Sequence, residues 1–127
     1  MLPLTAIVVD DNPYFLQFVT QVLDDHYADL LDVRAACTTC AVIARCIALK
    51  PQLILLDLGL PGMTGLSLIH QLRQAAPHVA VIVLSISDEA PYAEAARRAG
   101  AVALLGKDTL NTTLRTTVKW MLREQMI

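Results

Sequence analysis

Residues 53–65 read LILLDLGLPGMTG and contain the transition that decides the fold. The first four residues are all apolar, which is typical of a short strand buried on both faces of a parallel sheet. Asp57 follows directly, and the glycines and proline after it predict a loop over residues 58–64. In open α/β sheets, ligands bind at the carboxyl ends of such strands, so this stretch predicts a site as well as a strand.

The same alternation extends along the whole chain in both directions. Short apolar runs predict strands at residues 6–9, 31–36, 53–56, 79–84 and 101–105. The segments after them space their apolar residues three and four positions apart, which predicts a helix after each strand. This order predicts an α/β fold, a doubly wound parallel sheet of strand order 2-1-3-4-5 with right-handed crossovers. No linker or repeat interrupts it, so residues 1–127 are predicted to form a single domain.

Composition excludes several classes of protein. Apolar residues make up 55% of the chain and charged residues 17%, which excludes intrinsic disorder. No apolar run reaches the roughly 18–20 residues that cross a bilayer, and the N-terminus lacks the pattern of a signal peptide. We therefore expect a cytoplasmic protein without membrane contact. The net charge of −2 gives no electrostatic reason to expect nucleic-acid binding by this segment.

Two of the three cysteines form a CxxC spacing at Cys37 and Cys40. A redox site is one interpretation, but no adjacent residue would lower a thiol pKa. A zinc site would need two more ligands, and the three histidines lie in other predicted elements. The favoured interpretation is a set of small, buried or half-buried thiols at a strand-to-helix junction.

Polar side chains follow four of the predicted strands, and they are Asp10, Asp11, Asp57, Ser85 and Lys107. Three carboxylates at one edge repel each other unless a cation neutralises them, and oxygen ligands suit Mg²⁺ or Mn²⁺ better than zinc. A metal ion, an ammonium and a hydroxyl are the groups that stabilise phosphoryl transfer. Asp57 is the best candidate nucleophile because its strand is central and precedes the glycine-rich loop.

Four segments, residues 7–12, 55–65, 81–85 and 100–107, carry a resemblance to a known family. In them the sequence resembles the receiver domains of two-component response regulators. The resemblance covers almost the whole chain and implies a flavodoxin-like fold. It also implies a phosphorylation-dependent switch that assists its own phosphorylation and dephosphorylation but is not a turnover enzyme. With Asp108 after Lys107, it most resembles the receivers that precede helix-turn-helix output domains, which implies the receiver part of a DNA-binding transcriptional regulator.

The resemblance assigns a role to each candidate residue. Asp57 takes a phosphoryl group from a sensor histidine kinase or a histidine phosphotransferase, Ser85 bonds that group, and Lys107 pairs with it. Asp11 binds the metal directly and Asp10 supports it through water. The implied metal shell is Asp10, Asp11, Asp57 and the backbone carbonyl of Gly59.

Three positions depart from the family pattern. Leu104 stands where an aromatic residue is common, so switching by an aromatic rotamer is excluded there. Ile86 replaces a small residue, and we expect it to crowd the approach to Asp57 and slow phosphoryl exchange. Asp108 replaces a proline after Lys107, so the resemblance does not fix the geometry of that peptide bond.

Other classes of protein fit less well. A flavodoxin would need a phosphate-binding loop where Asp10 and Asp11 would repel phosphate, and a dinucleotide enzyme would need GxGxxG. An aspartyl phosphatase would need a DxD motif there. The alternative that remains is a receiver-like module that binds partners without phosphorylation. Ile86 and Leu104 favour this alternative, and the complete set of acids, serine and lysine opposes it.

Trp120 lies off the apolar stripe of the last predicted helix, which contains Leu114, Val118 and Met121. A large exposed aromatic residue often marks a partner surface. In the resembled family the face formed by helix 4, strand 5 and helix 5 commonly serves dimerisation, so we hypothesise a homodimer contact at Trp120. The alternative is that Trp120 lies across a neighbouring helix.

Overall fold

The computed structural model describes residues 2–59, 63–124 and 126, and within them the chain alternates strands and helices. In chain order the elements are β1 (Leu4–Val9), α1 (Pro13–His26), β2 (Leu31–Cys37), α2 (Val42–Leu49), β3 (Leu53–Gly59), α3 (Met63–Ala75), β4 (Ala80–Ser85), α4 (Ala90–Ala99), β5 (Ala103–Gly106), a 3₁₀ turn (Lys107–Thr109) and α5 (Leu110–Arg123). The described residues form one parallel sheet in the order β2-β1-β3-β4-β5, which confirms the predicted topology. No helix in this part of the chain is long and apolar enough to cross a membrane.

The sheet separates two apolar layers. On one face α1 and α5 pack against alternate strand residues, among them Leu55 and Ile82. On the other face α2, α3 and α4 pack against the residues in between, among them Ile54 and Val83. All four of these side chains are fully buried. The wholly apolar pattern of β3 therefore follows from burial on both faces.

Asn12 and Pro13 begin helix α1. The Asn12 side chain accepts hydrogen bonds from the backbone N–H groups of Tyr14 (3.0 Å) and Phe15 (3.3 Å). Pro13 occupies the first helical position, where its missing N–H costs nothing. The helix buries Val19 and Leu23 and leaves other apolar side chains exposed, notably Tyr14 and Phe18.

Helix α5 buries one stripe of apolar side chains, formed by Leu114, Val118 and Met121, as the spacing predicts. Trp120 lies off this stripe and keeps 39% of its surface exposed. The helix therefore presents an aromatic side chain to solvent beside a well-packed apolar face.

Several predicted boundaries are corrected by the structure. β3 runs two residues beyond Asp57, to Gly59, because Gly59 pairs with Ser85 on β4. β5 begins at Ala103 rather than at residue 101. The predicted loop residues Leu60, Pro61 and Gly62 lie outside the described residues.

Candidate functional site

Asp57 lies in β3 beside a break in the strand pairing. It is paired with Leu84, whereas Gly59 is paired with Ser85, so Leu58 is an extra residue in β3. An extra residue of this kind bends the strand and redirects the side chains next to it. Asp57 is 7% exposed and Ser85 is fully buried, and they are the two buried polar or charged residues in the described part of the chain. Because charged groups are rarely buried without a functional or structural partner, Asp57 is the centre of the candidate site.

Lys107 supplies a positive charge to Asp57. Its Nζ atom lies 2.7 Å from Asp57 Oδ1, with 23% of the lysine side chain and 4% of the aspartate side chain exposed. Lys107 opens the 3₁₀ turn that follows β5, and its peptide bond to Asp108 is trans. The same Nζ atom lies 4.1 Å from the centre of the Phe15 ring. The ammonium is therefore contacted by both a carboxylate and an aromatic face.

Asp10 and Asp11 follow β1, and each accepts hydrogen bonds from nearby groups. Asp10 Oδ1 accepts from the backbone N–H of Asn12 at 3.0 Å. Asp11 Oδ1 accepts from the backbone N–H of Thr39 at 3.0 Å and from its hydroxyl at 2.8 Å. Thr39 comes just after β2, the strand next to β1, so this contact joins two adjacent strand ends.

One cavity of about 370 Å³ brings these groups together, and it is lined by Asp10, Asp11, Asn12, Phe15, Thr39, Asp57, Leu58 and Lys107. The structure thus places the three predicted acids and the predicted lysine at a single edge of the sheet. Thr39 and Phe15 were not predicted. The position of Thr39 directly after a strand could have indicated it, whereas a phenylalanine in an amphipathic helix carries no such signal.

The other predicted residues lie close to this cavity or away from it. Ser85 ends β4 beside Gly59, and its hydroxyl oxygen accepts from the backbone N–H of Ser87 at 3.2 Å. Ile86 is 63% exposed and does not line the cavity, so crowding of Asp57 by this side chain stays a prediction. Leu104 is buried in the layer formed with α2, α3 and α4.

The acids are suited to a hard cation but do not form a closed ligand cluster. Among the described residues, no group of three histidine, cysteine, aspartate or glutamate side chains could hold a metal ion as placed. Each of the three aspartates instead contacts another residue: Asp10 contacts Asn12, Asp11 contacts Thr39, and Asp57 contacts Lys107. The donors that line the cavity are oxygen atoms, which fit Mg²⁺ or Mn²⁺ in chemical type.

The CxxC pair is not a disulfide, since all three cysteines are free. Cys37 and Cys46 are buried, and this burial raises the pKa of both thiols. The thiolate is the reactive form, so the raised pKa makes Cys37 and Cys46 less reactive. Cys40 is exposed, which corrects the prediction of a buried or half-buried thiol, because it lies in the turn before α2, whose first buried residue is Val42.

The comparison with protein families agrees with this geometry. Residues 6–119 match the family model of the response regulator receiver domain. The chain belongs to this family, and it is therefore a receiver domain of two-component signal transduction.

Curated relatives are longer than this chain. A protein-glutamate methylesterase/protein-glutamine glutaminase 5 of Myxococcus xanthus is 36% identical over 116 residues, which cover 89% of this chain and 32% of the relative. The nitrate/nitrite response regulator protein NarL of Escherichia coli K12 is 33% identical over 106 residues, covering 84% of this chain and 49% of the relative. This chain therefore spans about half or less of these two relatives.

Solved structures share the fold over nearly the whole chain. The signal receiver domain of NarL from Mycobacterium tuberculosis is 27% identical with a TM-score of 0.72, and the match covers 94% of both chains. The isolated REC domain of RcsB from Salmonella enterica serovar Typhimurium, solved with BeF₃⁻, is 20% identical with a TM-score of 0.76 and covers 94% of this chain and 88% of that one. At 20% identity the second likeness shows the fold alone.

Proposed function

We propose that this domain switches state when Asp57 accepts a phosphoryl group from a phosphohistidine of a sensor histidine kinase or a histidine phosphotransferase. The observation that carries the proposal is the buried Asp57 carboxylate, which lies 2.7 Å from the Lys107 ammonium. Asp10 and Asp11 share its cavity. This combination of nucleophile, fixed positive charge and oxygen donors is what phosphoryl transfer to a carboxylate requires.

Each residue has a distinct task in this mechanism. A carboxylate oxygen of Asp57 forms the new O–P bond as the N–P bond to the donor imidazole breaks. Lys107 neutralises charge on the transferred group, and the Ser85 hydroxyl donates a hydrogen bond to it. Asp10, Asp11, Asp57 and the Gly59 carbonyl would hold Mg²⁺ or Mn²⁺. When bound, that cation supplies further neutralisation of the phosphoryl oxygens.

A direct test uses the wild-type domain and a small phosphoryl donor. We expect incubation with acetyl phosphate and Mg²⁺ to add one phosphoryl group, measured by intact mass, and beryllofluoride to change Trp120 fluorescence. A control receiver is treated in parallel. If the control is modified and this chain is not, the domain belongs instead to the alternative class that binds partners without phosphorylation.

Thr39 is expected to support metal binding through Asp11. Its N–H and hydroxyl both donate to Asp11 Oδ1, which fixes the orientation of that carboxylate. Because loss of a hydrogen bond to a ligand commonly costs about tenfold in metal affinity, Thr39→Val should weaken Mg²⁺ binding by about that factor. Isothermal titration with MgCl₂ measures it. Thr38→Val is the matched control, since Thr38 is exposed and does not line the cavity. Equal affinities for the two variants would contradict the role of Thr39.

We infer that residues 1–127 act as one receiver unit of a longer transcriptional regulator. Asp108 in place of proline and the partial coverage of NarL from Escherichia coli support this proposal. Reading the gene beyond Ile127 for a helix-turn-helix tests it. A gene that encodes an enzyme domain, or no further domain, would contradict it.

The exposed Trp120 supports a homodimer contact on the face formed by α4, β5 and α5. If it lies in such a contact, Trp120→Ala should weaken dimerisation of the beryllofluoride-treated domain by about tenfold, as expected for an aromatic interface residue. Analytical ultracentrifugation across a concentration series measures the change. Tyr14→Ala removes a similarly exposed aromatic residue from a different helix and is the control. An unchanged dimerisation constant for Trp120→Ala would exclude this face.

A further inference from the structure

The Phe15 ring is the second contact of the Lys107 ammonium. The distance of 4.1 Å from Nζ to the ring centre lies within the range of about 6 Å for attraction between a cation and an aromatic face. The same Nζ atom pairs with Asp57 Oδ1 at 2.7 Å. The ammonium is therefore bounded by the reactive carboxylate and by an aromatic ring.

The position of this ring is set by the residues that follow β1. Asp10 Oδ1 accepts from the N–H of Asn12, and the Asn12 side chain accepts from the N–H of Phe15. The neighbouring aromatic residue, Tyr14, is 84% exposed and does not line the cavity. The turn that carries the acids thus also directs one aromatic ring, that of Phe15, toward the lysine.

Phe15 and Lys107 form a wall between two cavities. One is the acidic cavity of about 370 Å³ around Asp57. The other is an apolar groove of about 610 Å³ between α1 and α5, whose lining includes Phe18, Val19, Leu23 and Leu110 as well as these two residues. The ring and the lysine therefore border both the acidic cavity and the apolar groove.

We propose that Phe15 is a positioning residue for phosphoryl acceptance, acting through Lys107. A lysine side chain has a flexible stem, and its ammonium must remain at Asp57 as negative charge arrives there. The aromatic face attracts the ammonium without a directional bond, so it restricts the lysine and still lets the ammonium move from the carboxylate to the phosphoryl group. This inference rests on the proposed function of Asp57.

Phe15→Leu tests the aromatic face while keeping an apolar side chain. We expect this variant to accept phosphoryl from acetyl phosphate about two- to fivefold more slowly than wild type, the size of a partly exposed cation–π contact. Phe15→Tyr keeps the aromatic face and should retain the wild-type rate. Phe18→Leu is the control for the loss of an aromatic side chain near this site. It removes a ring that is 64% exposed and lies 6.3 Å from the Phe15 ring. Circular dichroism confirms that each variant is folded.

A double-mutant cycle shows whether the ring acts through the lysine. In a Lys107→Met background, which phosphorylates more slowly, Phe15→Leu should cause no further loss. Equal slowing by Phe15→Leu in both backgrounds would mean that the ring contributes independently of Lys107, and it would overturn the inference. So would a wild-type rate for Phe15→Leu.

The unphosphorylated protein provides a separate measurement. The Phe15 ring current should shift the Lys107 ε-protons upfield in NMR spectra, and Phe15→Leu should remove that shift while Phe18→Leu leaves it. An unchanged Lys107 signal in Phe15→Leu overturns the inference even if phosphorylation proceeds. Failure of wild type to accept a phosphoryl group, with the Lys107 shift present, instead overturns the function proposed for Asp57.

Discussion

We expect the Asp57→Asn variant to take up no phosphoryl group from acetyl phosphate and Mg²⁺ under the conditions that should modify the wild-type domain. An amide lacks the negatively charged oxygen that attacks phosphorus, and it has almost the same shape as the carboxylate. The loss is therefore expected to be complete without a change of fold. Intact mass spectrometry measures it, since a single adduct distinguishes modified from unmodified protein.

Asp32→Asn is the matched control for this experiment. Asp32 is also a strand aspartate paired with a basic residue, Arg34, but it lies on β2 at the surface. The control should be modified at the wild-type rate. An adduct that persists in Asp57→Asn would place the acceptor on a different group, such as Asp10 or Asp11, and would contradict the assignment.

Lys107→Met should lower the free energy of unfolding by about 3 kcal/mol. The ion pair with Asp57 is largely buried, with 4% of the aspartate side chain exposed. Removing one partner of a buried ion pair deprives the other charge of its compensation, and this typically costs about 3–5 kcal/mol. We take the lower end because 23% of the lysine side chain reaches solvent. Urea denaturation followed by Trp120 fluorescence measures the change.

An exposed ion pair of nearly equal length provides the control. Arg34 and Asp32 lie 2.8 Å apart with 58% and 43% of their side chains exposed, so Arg34→Met should cost less than about 1 kcal/mol. The double variant Asp57→Asn with Lys107→Met removes both charges and should recover most of the lost stability. If Lys107→Met lowers the free energy of unfolding no more than Arg34→Met does, the burial of the Asp57–Lys107 pair does not increase its contribution to stability.

The sequence was sufficient to predict the sheet and the backbone positions of the candidate site. β3 is apolar at residues 53–56 because both of its faces are covered, and this pattern predicted a parallel strand. The carboxyl ends of parallel strands meet at one edge, so the sequence predicts that Asp10, Asp57 and Lys107 lie together, and the structure places all three around one cavity.

Side-chain contacts and local irregularities could not be predicted in the same way. Whether Thr39 reaches Asp11, or Phe15 reaches Lys107, depends on rotamers and on the exact ends of neighbouring elements. The sequence predicts a loop at Gly59, whereas the structure pairs Gly59 with Ser85. That pairing depends on the extra residue at Leu58. Local sequence does not encode that pairing, since it is made by a separate strand.

The two apolar layers bear on how this domain can diverge among descendants. Each layer packs against its own face of the sheet. The effects on the free energy of unfolding of substitutions in one layer are therefore expected to add to those of substitutions in the other. The acidic cavity is lined by Phe15 from α1 on one side and by Thr39 from the segment before α2 on the other. A substitution in one layer can therefore shift one side of the acidic cavity, at Phe15 or at Thr39, while leaving the other side in place.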